Sequence, residues 1–147
     1  MDEFEKLFSG SWVCDRDENL RETMEAMKMP KEEMEFFATM KPEIKIERKG
    51  DKIHHSTNMG KGVIHDVIYE LGKGFESKDT NEPPLYHNKV NCRFEDGKLI
   101  FESRSQLTGL MKIDTLVVMY RKGDELISDN SPLSDHSIIG RRIYRRA

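Results

Sequence analysis

No stretch of this sequence approaches the roughly 20 consecutive apolar residues that a membrane-spanning helix needs. Cysteine is scarce: only Cys14 and Cys92 occur, with no motif spacing, so a disulfide framework and a cysteine metal cluster are both excluded and free thiols are expected. There is no block of charge of one sign. The 24 Lys and Arg and 27 Asp and Glu leave a net charge of -3, with the signs interleaved along the chain, which disfavours a nucleic-acid partner. The opening Met1-Asp2-Glu3-Phe4 is acidic where a secretory signal is basic and then apolar, so the expected location is the cytoplasm. Apolar residues are also in short supply, 36 % of the chain against 35 % charged. Such a composition suits a thin shell around a cavity better than a solid interior. The 147 residues correspond to one domain, spanning 1–147.

What is present divides into two textures. After a short first strand, Phe8 to Val13, the stretch from Asp17 to Met40 reads as two helices. Leu20, Met24 and Met27 recur at i, i+4 and i+7, Pro30 ends the first helix and occupies the first turn of the second, and Met34 and Phe37 continue an apolar stripe until Pro42 bars extension. From Glu43 onward, short runs rich in Ile, Val and Tyr alternate with Gly, Asp and Asn, an all-β signature. Ile44 to Glu47 and Lys52 to Thr57 pair around Gly50-Asp51, Val63 to Leu71 and Lys73 to Lys78 around Gly72, and Val90 to Glu95 and Lys98 to Arg104 around Asp96-Gly97. Met111 to Arg121 pairs with Glu125 to Asp129, and Ser137 to Arg146 closes the chain. Asn81 to Pro84 and Asp129 to Pro132 read as surface loops.

About ten strands joined as hairpins, with no helical crossovers, make an antiparallel sheet in which sequence neighbours are spatial neighbours. Several strands, such as Lys52 to Thr57 and Glu102 to Gln106, are polar on both faces. Inward polar groups are costly unless they meet partners or water, and a roomy barrel interior supplies both. The expected fold is therefore all-β: a ten-stranded antiparallel up-and-down β-barrel, or β-clam, capped by a helix-turn-helix lid within residues 17–41. Trp12 is expected to pack the barrel floor.

The opening Phe8-Ser9-Gly10-Ser11-Trp12 and the closing Arg142-Ile143-Tyr144-Arg145-Arg146 together resemble the cytosolic fatty-acid-binding proteins, also called intracellular lipid-binding proteins. Asn19-Leu20, Lys41-Pro42, Gly50-Asp51, Leu71-Gly72-Lys73-Gly74-Phe75 and Asp96-Gly97 follow the same order between them, so the resemblance runs the full length. It implies non-covalent carriage of long-chain fatty acids or related amphipathic lipids by a monomer, with no metal and no cofactor, transient membrane contact through the lid, and a nuclear as well as a cytoplasmic location. It also implies that Arg142 and Tyr144 bind the ligand carboxylate. Their spacing of two puts both on one face of a strand, and a guanidinium fork with a directed hydroxyl matches a carboxylate. Taken without the resemblance, the same two residues could be a solvent-facing pair on an edge strand.

One departure stands out. The strand before the Lys122-Gly123-Asp124 turn carries Met119, or Val118 with a one-residue shift, where many members of that family have a second arginine; Arg121, two residues on from Met119, could substitute after a register slip. A single-arginine site is expected to bind the headgroup more weakly, or to favour ligands such as acyl-ethanolamides or monoacylglycerols. The loops near residues 81–87 and 130–136 are longer than the family pattern. His54, His55, His65, His87 and His136 lack metal-ligand spacing. Two other functions remain open: an enzyme acting on a small lipid in the same cavity, although the sequence has no Gly-x-Ser-x-Gly elbow and no His-Glu-x-x-His, and a secreted lipocalin-like carrier.

Overall fold

Two phenylalanines one helical turn apart open the structure, a computed structural model that describes residues 2–60, 63–78, 87–107 and 114–147. They belong to a helix, α1 (Asp2–Phe8), with Asp2, Glu3 and Glu5 in its first turn, where acidic groups offset the helix dipole. The reading from sequence began a strand at Phe8 and missed this helix. Seven residues are too few to hold a helix alone, and α1 is held by its apolar face. Phe4 and Phe8 are fully buried, 5.2 Å apart, and each meets the edge of Phe94. The Trp12 indole N–H donates to the Phe8 carbonyl at 3.0 Å, fixing the helix to the first strand.

The strands are β1 (Gly10–Glu18), β2 (Glu43–Lys49), β3 (Lys52–Gly60), β4 (Val63–Tyr69), β5 (Gly74–Lys78), β6 (His87–Glu95), β7 (Lys98–Ser105), β8 (Thr115–Lys122), β9 (Glu125–Pro132) and β10 (Gly140–Arg146). They form one ten-stranded sheet in the order β4-β3-β2-β1-β10-β9-β8-β7-β6-β5, antiparallel in the pairs from β4 through β1 and β10 to β5. The expected ten-stranded antiparallel barrel with a helical cap is what the chain forms, nearly closed. One hairpin is corrected. β4 and β5 flank Gly72 but are the two edges of the sheet, and β5 pairs with β6 instead. The space that a ladder would occupy is filled by side chains: the Tyr69 and Phe75 rings stack at 5.3 Å, and His65 Nε2 lies 2.9 Å from Ser77 Oγ.

The lid is two helices, α2 (Leu20–Ala26) and α3 (Lys31–Thr39). The first begins later than Asp17, because Asp17 and Glu18 stay in the β1–β10 ladder opposite Arg142 and Arg141. Asn19 then turns the chain in a left-handed conformation, φ 53°, and donates from its side-chain amide to the Ile139 carbonyl. Pro30 caps α3 and lies just outside its first turn. α2 seats against Gly140 at the start of β10: a Cβ there would lie 2.9 Å from the Thr23 side chain and 3.2 Å from the Leu20 backbone. Asp129 to Pro132, read as a loop, is the end of β9, with Ser131 and Pro132 buried. Proline is tolerated as the last residue of a strand, where no further ladder donor is required. The expected strand start at Met111 and the loop Asn81 to Pro84 fall outside the described residues.

The ladders place alternate residues on the inner face, and burial along that face is uneven. At the α1 end Trp12, Ile46, Ile53, Leu99 and Leu126 are completely enclosed, with Trp12 on the floor as expected. Further up the wall, His55, Thr57, Val67, Phe101, Ser103 and Val117 are only half-buried, although they point inward between paired strands. The barrel is thus packed tightly at the floor and less tightly above it.

Candidate functional site

β10 lies between β1 and β9, so Arg142 and Tyr144 are not on an edge. They are 6 % and 4 % exposed, which removes the solvent-facing alternative. Tyr144 belongs to the core cluster, and Arg142 shares its face one pleat nearer the lid. Across the ladders Arg142 sits opposite Asp17 of β1 and Ser128 of β9, and Ser128 opposite Met119 of β8. One row of the inner wall thus reads Asp17, Arg142, Ser128, Met119.

The Arg142 guanidinium is already engaged. Its Nε donates to Asp17 Oδ1 at 3.0 Å, and a terminal nitrogen donates to the backbone carbonyl of Phe37 in α3. A wall residue is thereby joined to the lid. Cys14, opposite Tyr144, points its thiol at the same Asp17 oxygen, 3.7 Å away; burial and then Asp17 hold that thiol above its ordinary range. Burial likewise pushes the Tyr144 hydroxyl well above its usual value against the opposing pull of Arg142, so it stays protonated and able to donate. Asp17 was not foreseen as part of the site. Its placement at a helix start concealed it, and its odd spacing from Trp12 would put it on the outer face but for the bulge between Cys14 and Arg16.

Arg121 does not join this cluster. Its terminal nitrogens donate to the Leu7 and Gly123 carbonyls at 3.1 and 2.7 Å, and its guanidinium lies 5.0 Å from the centre of the Trp12 ring, whose other contact of this kind is Arg146 at 4.0 Å. The β8–β9 register, with Arg121 opposite Leu126 and Met119 opposite Ser128, shows no slip that would bring it level with Arg142. The second position therefore holds an uncharged, buried Met119.

Two further polar groups lie on the inner face of β3 and β4. His55 Nδ1 is 3.3 Å from the Tyr69 hydroxyl, and burial, with smaller contributions from His65 and His54, lowers its pKa to about 4. His65 meets Ser77 across the gap between β4 and β5. Outside, a recess of about 440 Å³ opens where Met27 and Lys28 of the lid meet Asp114, Pro132 and Leu133 of the rim. Among the lid's apolar residues Met24 is buried and Met27, Met34 and Phe37 are half-buried.

No family model matches the chain. Its architecture does match solved structures over nearly its whole length. Fatty-acid-binding protein 1 of Echinococcus granulosus aligns with a TM-score of 0.76 at 16 % identity, covering 100 % of this chain and 99 % of that one. The fold is that of the fatty-acid-binding proteins. Lipid binding protein 8 of Caenorhabditis elegans aligns equally well, at 0.76 and 18 % identity over 100 % and 97 % of the two chains. An abundant heat soluble (SAHS) protein of Ramazzottius varieornatus aligns at 0.77 and 22 % identity over 95 % of each.

Proposed function

We propose that this chain is an intracellular lipid-binding protein that holds one long-chain fatty acid or related amphipathic lipid non-covalently and carries it through the cytoplasm and nucleus. The acyl chain lies in the hollow above the floor, and the polar head meets Arg142 and Tyr144 beneath the lid. The observation that carries this reading is the burial of a guanidinium and a protonated phenol side by side on the inner face of the barrel. Burying ten methylenes supplies roughly 8 kcal/mol before ordering costs, so the tail provides affinity and the head fixes orientation. Cargo enters at the recess beside Met27 and Lys28, and the lid helices touch the donor membrane. The protein acts as a monomer and releases its cargo unchanged.

Native mass spectrometry of gently purified protein, followed by lipid extraction, tests this directly by identifying a bound lipid. Arg142→Ala is expected to weaken lipid binding by about tenfold to a hundredfold, the worth of a charge-assisted hydrogen bond. The double variant Arg142→Ala/Asp17→Ala, which strands no charge, controls for instability. Undiminished affinity in both would place the head elsewhere.

A hydrolytic reading has one observation in its favour, the 2.9 Å contact between Ser77 Oγ and His65 Nε2, since burial lowers the His65 pKa and a neutral imidazole can act as a base. Chemical turnover of a bound ester, seen by mass spectrometry, would decide for it.

A further inference from the structure

The charge count around Arg142 narrows the class of cargo. A buried guanidinium with no anion of its own attracts a carboxylate; this one has Asp17 at 3.0 Å, with the Arg142 side chain 7 % and the Asp17 side chain 19 % exposed. The next cation that could have restored a positive surplus is missing, since Met119 fills that position in the row and Arg121 is turned to Leu7, Gly123 and Trp12. Lys41 is exposed and reaches the Asp15 carbonyl at 3.5 Å, in water where its charge is screened. The cluster of Arg142, Asp17, Cys14, Tyr144 and Ser128 therefore carries one positive and one negative charge, and sums to zero.

We infer that the head site is built for a neutral polar headgroup carrying both a donor and an acceptor, the chemistry of an acyl-ethanolamide, a monoacylglycerol or a long-chain alcohol, and that Asp17 discriminates against free fatty acids. This rests on the carrier reading above. A free acid would put a second carboxylate beside the one already on Arg142. Two carboxylates that share a site repel, and one of them is driven to take up a proton. A neutral head meets no such penalty. Its hydroxyl or amide N–H donates to the Asp17 carboxylate, and its oxygen accepts from the Tyr144 hydroxyl or from Arg142, so every buried group keeps a partner. Asp17 is then the specificity residue, acting through charge and not through shape.

The test is calorimetric binding of four lipids with the same oleoyl chain to delipidated protein at pH 7.4: oleate, oleyl alcohol, N-oleoylethanolamide and monooleoylglycerol. The wild-type protein is expected to bind at least one neutral lipid at least tenfold more tightly than oleate. Asp17→Asn keeps the size and an acceptor for Arg142, and it should raise oleate affinity at least tenfold while moving the neutral lipids by less than threefold. Asp17→Ser, checked with Asp17→Asn by thermal unfolding, guards against loss of the fold in either one. Oleate binding as tight as that of every neutral lipid in the wild type, or oleate affinity unmoved in both folded variants, would overturn the inference while leaving carriage intact. Failure of all four lipids to bind would overturn carriage, and this inference with it.

Discussion

His55 makes the enclosure of the inner wall measurable. It faces inward from β3 between the Tyr69 and Phe101 rings, 6.2 and 6.1 Å away, and burial lowers its pKa from 6.5 to about 4. The folded value lies below the unfolded one, so protons bind the unfolded chain preferentially. Stability is whole above about pH 6.5, declines as the pH falls, and reaches its full loss below about pH 4. A shift of that size corresponds to about 3 kcal/mol in total, and to about 2 kcal/mol by pH 5. Single domains are typically stable by about 5–15 kcal/mol, so this loss is a large fraction. Urea unfolding at pH 7.5 and pH 5, compared between the wild type and His55→Asn, isolates it, since the other titrating groups are common to both proteins. The wild type should lose about 2 kcal/mol more than the variant over that interval. Parallel losses, or an imidazole resonance of His55 titrating near its ordinary 6.5, would refute the placement of this ring in a low-dielectric interior.

Gly140→Ala drives a methyl group into Thr23 and the Leu20 backbone; it should cost about 1–3 kcal/mol of stability by chemical denaturation, as overpacking does, and loosen α2, read as faster amide exchange in that helix. Ser77→Ala removes the hydroxyl that His65 meets across the β4–β5 gap and should cost about 1 kcal/mol, with faster exchange confined to β4 and β5 while β1 and β10 keep their protection.

The features legible from sequence are those that depend on local periodicity. Strand spacing, the Asp96-Gly97 turn and the i, i+2 relation of Arg142 to Tyr144 are all of this kind, and they led to the barrel and to half of the head site. The relation of Phe4 to Phe8 was equally visible as an i, i+4 pair, but seven residues of weak helix are decided by the floor they cover, which no local pattern displays. Gly72 looked like a hairpin turn because glycine signals a reversal without saying which strands pair afterwards. Asp17 was placed at the head of the helical stretch marked by Leu20, Met24 and Met27; its partner lies 125 residues away, and only the β1–β10 register brings the two together. Arg121 could be read in two registers, and the contact that settles it is the Leu7 carbonyl of the unforeseen α1.

The enclosure of Trp12 beside two guanidinium groups has a practical outcome for spectroscopy. It is the only tryptophan in the chain, and it is fully buried at the floor, beneath the space assigned to cargo. Its emission should be blue-shifted and should report melting of the floor, while staying quiet as ligand fills the space above. A change in its spectrum on adding lipid would mean that the tail reaches all the way down to the indole.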